Sequence, residues 1–327
     1  MVWTDKTILL TGGTGSFGQA FTDYILKKKP KSLRVFDSDE YAQFEASRIL
    51  KRKNVSFLLG RVENKDRLRR AMEGADIVVH AAALKQVPIL EYNPFEAVTT
   101  NILGSQNVID CSIDLNVKKT ILISSDKAVS PTNLYGATKM VAEKLFVQAN
   151  SYAGGRNISF SVVRYGNVMA SRGSVVPTFL EQARNNSLTV TDERMTRFWI
   201  TLSAGVKFVI DCLEQMKGGE IFVPKISSVK IMDLARTIAP KAQVKIIGIR
   251  NGEKLHEVLI SGDEARHAKD FGKYFIVEPE YVSWGGQNFG NPHQGKELGE
   301  DFSYASDTND QWLDQKALKK MLAEYEF

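Results

Sequence analysis

The sequence predicts an α/β fold, a doubly wound parallel sheet followed by a smaller C-terminal α/β lobe. Two observations carry that expectation. Short, wholly apolar runs alternate with helical patterns through the first half of the chain, and this alternation marks a parallel sheet covered on both faces. After about Gly166 the rhythm changes to shorter, mixed segments.

Thr7-Ile8-Leu9-Leu10 is the first such run, and a glycine-rich turn and a helical stretch follow it. Leu33 to Phe36, Val55 to Leu59 and Asp76 to His80 give the second, third and fourth strands. Thr120 to Ser124 and Ser159 to Arg164 give the fifth and sixth. Leu202 to Met216 has the pattern of an amphipathic helix returning to the first domain. Lys245 to Ile249 and Tyr274 to Val277 read as strands of the smaller lobe. Ser283 to Ser303, rich in Gly and Asn, reads as a long loop. The expected division is a dinucleotide-binding Rossmann domain over 1–165, completed by a returning helix at about 201–217. A substrate lobe is expected over 166–200 and 218–327.

Of the 327 residues, 43% are hydrophobic and 25% charged, which is ordinary for a globular protein. No apolar run approaches the roughly 20 residues that span a bilayer, and the start lacks a signal peptide's apolar stretch, so a cytoplasmic protein without membrane association is expected. Cys111 and Cys212 make no disulfide framework, and His80, His256, His267 and His293 show no metal spacing. His80 reads as a packed or backbone-bonded histidine. The net charge of +5 suits either a solvated surface or an anionic substrate such as a nucleotide. Lys27 to Lys31 falls where a helix should end and lacks aromatic interleaving, so no nucleic-acid partner is expected.

Gly12, Gly15 and Gly18 form Gly-x-x-Gly-x-x-Gly between a strand and a helix, enclosing Thr14, Ser16 and Phe17. Glycines there permit a tight turn and let the backbone approach a pyrophosphate at a helix N-terminus. Asp37, next to Ser38, ends the second strand about 20 residues on, where a carboxylate accepts from ribose hydroxyls and favours NAD over NADP. Arg61, beside Val62, ends the third strand and could pair with Asp37 or clamp a phosphate.

Tyr135 and Lys139 stand one helical turn apart on one face, the spacing of a hydride-transfer pair in which the ammonium lowers the phenol pKa. Alcohol oxidation needs no more than these two. Asp126 and Lys127, behind Ser125 at the end of an apolar strand, add an acid and an amine, so a second reaction on the same bound molecule is expected. On an isolated loop the same two residues would read as a solvated salt bridge.

These residues resemble the extended short-chain dehydrogenase/reductase family, and within it the group of inverting, 5-epimerising UDP-N-acetylglucosamine 4,6-dehydratases. The resemblance runs through His80 to Lys85, Ser125-Asp126-Lys127, Asn133 to Lys139, Arg164 to Val168, Arg194 to Trp199 and Arg250-x-Gly252 to Glu257. Asp-Lys in place of the Asp-Glu of retaining dehydratases marks the group. The chain departs from it with Asp37-Ser38-Asp39-Glu40 in place of Ser-Arg-Asp-Glu, and with Arg61 in place of an aspartate. The group favours NADP, Asp37 favours NAD, and both stay open.

The resemblance implies a tightly held cofactor, regenerated each turnover, contacted also by Ala81, Ala82, Ala83 and Lys85. It implies that Tyr135, with Lys139 and Ser125, takes the sugar 4-hydroxyl proton as hydride leaves C4. Lys127 then takes the C5 proton, its pKa drawn towards neutral, and Asp126 protonates the departing 6-hydroxyl. Hydride returns to C6, and C5 is reprotonated from the opposite face. Substrate contacts implied are Lys85, Asn167, Val168, Val175 and Thr191, with Arg194, Arg197 and Arg250 for the diphosphate and Glu253 for the uridine ribose. The plainer reading of each arginine is a structural ion pair. A homo-oligomer, dimer to hexamer, is implied, as is a product serving surface-glycan or pseudaminic-acid-type sugar synthesis. The alternatives are a retaining dehydratase or 4-epimerase of the same fold, and, from another class, a non-catalytic dinucleotide-binding sensor or scaffold.

Overall fold

A computed structural model describes residues 1–169, 173–280 and 294–323. Most of the predicted 283–303 loop lies outside the described residues. The six predicted strands form as β1 (Thr7–Thr11), β2 (Ser32–Asp37), β3 (Val55–Leu59), β4 (Ile77–His80), β5 (Lys119–Ser125) and β6 (Ser159–Tyr165). They pair in parallel in the order β3-β2-β1-β4-β5-β6. Every residue of β1, β4 and β6 is buried, as expected for strands covered on both faces. The order reverses between β1 and β4, which opens a crevice at the carboxyl ends of these strands.

The sheet is larger and more mixed than the sequence suggests. Ile221–Pro224 adds a further parallel strand against β6, and Tyr274–Val277, Ala268–Asp270 and Lys296–Glu297 follow antiparallel to complete ten strands. Tyr274–Val277 is therefore an inner strand of the large sheet, paired on both sides, not a strand of the lobe. Its Phe275, Ile276 and Val277 join the main core, whose apolar side chains continue across it. The helix Leu202–Gln215 packs on the helix Ser16–Lys27 and on β6. Val206, Val209, Ile210 and Leu213 enter the main core, and Glu214 accepts from the Trp3 indole at 2.9 Å.

The lobe has its own apolar core, including Met169, Phe179, Leu188, Trp199 and Leu234. Its sheet runs Ser227–Lys230, Thr196–Ile200, Asn167–Val168. The predicted strand near Lys245 forms as Gln243–Ile246, parallel to Ser187–Val190. A buried ion cluster ties β6 to the segment around Leu259 and Glu264 and to the helix carrying Glu143. Arg164, on β6 and 2% exposed, is held by Glu143 at 2.6 Å, Glu264 at 2.8 Å and the Leu259 carbonyl at 2.8 Å. Cys111 and Cys212 are buried thiols. No described helix is long and apolar enough to cross a membrane.

Candidate active site

The crevice is a cavity of about 750 Å³. Its first wall is the turn after β1. Gly12 adopts φ +66°, and a Cβ there would meet the Ala82 nitrogen at 2.7 Å. The missing side chain thus lets the turn pack on the Ala81–Ala82 backbone and leaves the helix N-terminus at Ser16 facing the cavity. Asp37 Oδ2 accepts from the Thr14 amide at 3.0 Å and the Thr14 hydroxyl at 2.8 Å, so the carboxylate is fixed at the cavity wall. Thr14, Gly15, Ser16, Phe17, Ser38, Arg61, Val62, Ala81, Ala82, Ala83 and Lys85 line the same cavity; Gly18 lies behind it in the helix. This glycine cradle, with a carboxylate at the end of β2, fits a dinucleotide.

The second wall carries the reactive groups. Asn133 caps the helix Leu134–Tyr152 by accepting from the Gly136 amide at 2.8 Å. A Cβ on Gly136 would overlap the Lys127 carbonyl, so glycine in that first turn allows Tyr135 to stand beside the Asp126–Ala128 turn. Ser125, Lys127, Tyr135, Lys139, Asn167 and Val168 all line the cavity. Ser125 Oγ donates to Asp126 Oδ1 at 2.9 Å. Lys127 Nζ donates to Asp126 Oδ1 at 3.0 Å and to Asn167 Oδ1 at 3.4 Å. Asp126 is fully buried, and its Oδ2 has no hydrogen-bond partner.

The electrostatics reverse two expectations. Burial lowers the Lys127 amine, but the carboxylates of Asp126 and Glu257 outweigh it and hold the ammonium above its usual pKa. It is not drawn towards neutral. Tyr135 is pushed up by burial, and the largest opposing charge is Lys127 rather than Lys139. Lys139 donates to the Ile123 carbonyl at 2.7 Å, and burial brings its amine down to about 8. Burial also raises Asp126, more than its contact with Lys127 lowers it. An acid biased to keep a proton thus touches an amine biased to keep one.

The remaining predicted contacts do not converge on the cavity wall. Arg197 is buried, donating to the Thr196, Leu255 and Lys254 carbonyls. Arg194 is exposed and pairs with Asp192 at 2.8 Å in a separate surface hollow. Arg250 is exposed and lies 3.9 Å from Glu253. Their loop is anchored where the Gly252 carbonyl accepts from Asn133 at 2.8 Å. Val175 packs on the lobe core, and Thr191 donates to the Met195 sulfur.

His80 is packed, but it bonds to side chains rather than backbone: Thr11 Oγ1 at 2.7 Å and Ser105 Oγ at 3.2 Å. Two residues escaped sequence reasoning. Asn101 clamps Leu84 through its amide at 2.8 Å and carbonyl at 2.9 Å while donating to Thr138, so it ties the segment before Lys85 to the tyrosine helix. Glu257 lies 2% exposed behind Lys127.

The polysaccharide biosynthesis protein family matches residues 8–279. A UDP-N-acetylglucosamine 4,6-dehydratase (inverting) of Campylobacter jejuni subsp. jejuni is 48% identical over 324 residues, covering 97% of each chain. A UDP-glucose 4-epimerase of Rickettsia bellii is 42% identical over 285 residues, covering 84% of each. The X-ray structure of Pen from Bacillus thuringiensis superposes with a TM-score of 0.90 at 39% identity, covering 99% of each chain. With its glycine turn, its reactive residues and most of its sheet within the matched span, this chain belongs to the polysaccharide biosynthesis protein family.

Proposed function

We propose that the protein is a hydro-lyase that removes water from UDP-N-acetylglucosamine across C5 and C6, after oxidation at C4, with inversion at C5. The observation that carries this reading is the buried Asp126 paired with the half-buried Lys127, beside Tyr135 in the dinucleotide cavity. Gly12, Gly15, Asp37, Tyr135 and Lys139 would hold a nicotinamide dinucleotide there. Bound in the cavity, it supplies a hydride acceptor for C4 and a donor for C6.

The protein's own groups move the protons. Tyr135 takes the 4-hydroxyl proton; the Lys127 charge beside it favours the phenolate that does so. The 4-ketone then acidifies C5. Lys127 needs a free amine, and Asp126 needs a proton to give. Moving one proton 3.0 Å from Lys127 Nζ to Asp126 Oδ1 supplies both at once. Lys127 then takes the C5 proton and Asp126 protonates the leaving 6-hydroxyl, so water departs and the ion pair is restored; a solvent proton delivered to the opposite face of C5, balanced by the one Tyr135 releases to solvent, would complete the inversion. The active pair thus holds one proton, and activity falls in acid as it gains a second and in alkali as it loses the last. With Asp126 raised, the acid limb lies above the usual carboxylate range.

Asp37 at the cavity wall favours NAD, since a carboxylate there repels a 2′-phosphate. Purified protein incubated with UDP-N-acetylglucosamine and no added cofactor is expected to give a product one water lighter, and denaturation is expected to release NAD. A product of unchanged mass would favour the second reading, 4-epimerisation, which the Rickettsia relative's name supports. Release of NADP would overturn the cofactor assignment alone.

A further inference from the structure

Glu257 is a carboxylate with three cations around it and almost no solvent. Lys127 lies 3.4 Å away, Arg197 3.7 Å and Lys254 3.9 Å. Its Oε2 is buried without a hydrogen-bond partner, so the side chain interacts mainly through these charges. The backbone is fixed independently. The Glu257 amide donates to Ser306 Oγ at 2.9 Å, and the Ser306 amide donates back to the Glu257 carbonyl at 2.8 Å. Lys254 is turned inward by its bond to the Val129 carbonyl, just after the Asp126–Ala128 turn. The segment Lys254 to Glu257 therefore reaches from the lobe to the underside of the reactive pair.

We propose that Glu257 is a positioning residue that holds the Lys127 ammonium against Asp126 and Asn167 and sets the pH range over which that pair keeps its single proton. The proposal rests on the reading of Asp126 and Lys127 as acid and base. Charged and titratable groups face the lysine from several elements among the described residues. These are Asp126 on its own turn, Tyr135 on the adjoining helix, Arg197 on the neighbouring lobe strand, and Lys254 and Glu257 on the lobe segment. Asp126 and Glu257 favour the ammonium, and Arg197 opposes it. Glu257 also raises Asp126, so its removal shifts both members of the pair in one direction.

The test is Glu257→Gln, with Glu257→Asp as a variant that keeps the charge and the fold. Both limbs of the pH–kcat profile should move to lower pH by about one unit in Glu257→Gln, with KM nearly unchanged, and Glu257→Asp should recover most of the shift. A second readout needs no turnover. Peptide mass spectrometry after brief acylation at about pH 9 should find Lys127 labelled about tenfold faster in Glu257→Gln than in the parent. If neither variant alters Lys127 labelling, the proposal is overturned, whatever the enzyme turns over. If labelling shifts as expected but no substrate is dehydrated, Glu257 still sets the lysine's charge and the functional reading is what fails.

Discussion

Replacing Lys127 by methionine is expected to lower turnover of UDP-N-acetylglucosamine about 10³-fold while leaving the cofactor content of the purified protein unchanged. Methionine keeps the length of the side chain and removes its proton chemistry. The cavity wall formed by the glycine turn and Asp37 stays intact, so cofactor retention separates lost chemistry from lost folding. Asp126→Asn should cost a similar factor, because an amide occupies the same space but cannot pass a proton to the leaving hydroxyl. The double variant should be little worse than either single one, since the two residues exchange one proton and act as a unit. Multiplicative losses, or full activity in Lys127→Met measured by product formation, would contradict the shared-proton account.

The largest stability effect is expected at Arg164, not in the cavity. Arg164→Leu should destabilise the protein by about 3–5 kcal/mol in denaturant unfolding, because Glu143, 3% exposed, would be left as an uncompensated buried charge. Burial raises Glu264, but its contacts with Arg164 outweigh this and hold its folded pKa below the usual value. A lowered carboxylate contributes stability above its unfolded pKa and loses it as the pH falls through the folded one. The parent should therefore lose stability in that acidic window, and Arg164→Leu should lose less there. Unfolding curves measured across the range check both the magnitude and the sign.

The residues behind these two predictions differ in how far they could be read from the chain. Local pattern is enough for β1 to β6 and for the glycine turn, because each is a contiguous apolar run or a short motif. It also brings Tyr135 and Lys139 to one helix face, and places Asp126 and Lys127 at a strand end. What it lacks is pairing across long sequence separations. Tyr274–Val277 looks like any short strand until Ile221–Pro224 lies beside it. Arg164 does leave a signal, a charge inside the apolar run Phe160 to Tyr165, but its partners lie 21 and 100 residues away. Glu257 sits 130 residues beyond Lys127, a difference of 257 − 127, and no spacing rule connects them. Burial decides the charge states as well. A sequence shows that an amine stands beside an acid, but not that a second carboxylate keeps that amine protonated.

In the proposed reaction, an acid–amine pair adds elimination with inversion to an alcohol oxidation. Nuclear magnetic resonance of the product formed from UDP-N-acetylglucosamine in deuterated water tests it most directly. The expected product is a 2-acetamido-2,6-dideoxy-4-keto sugar of L-arabino configuration, with solvent deuterium at C5. Retained configuration at C5, or a C5 position that still carries the substrate's own hydrogen, would contradict it.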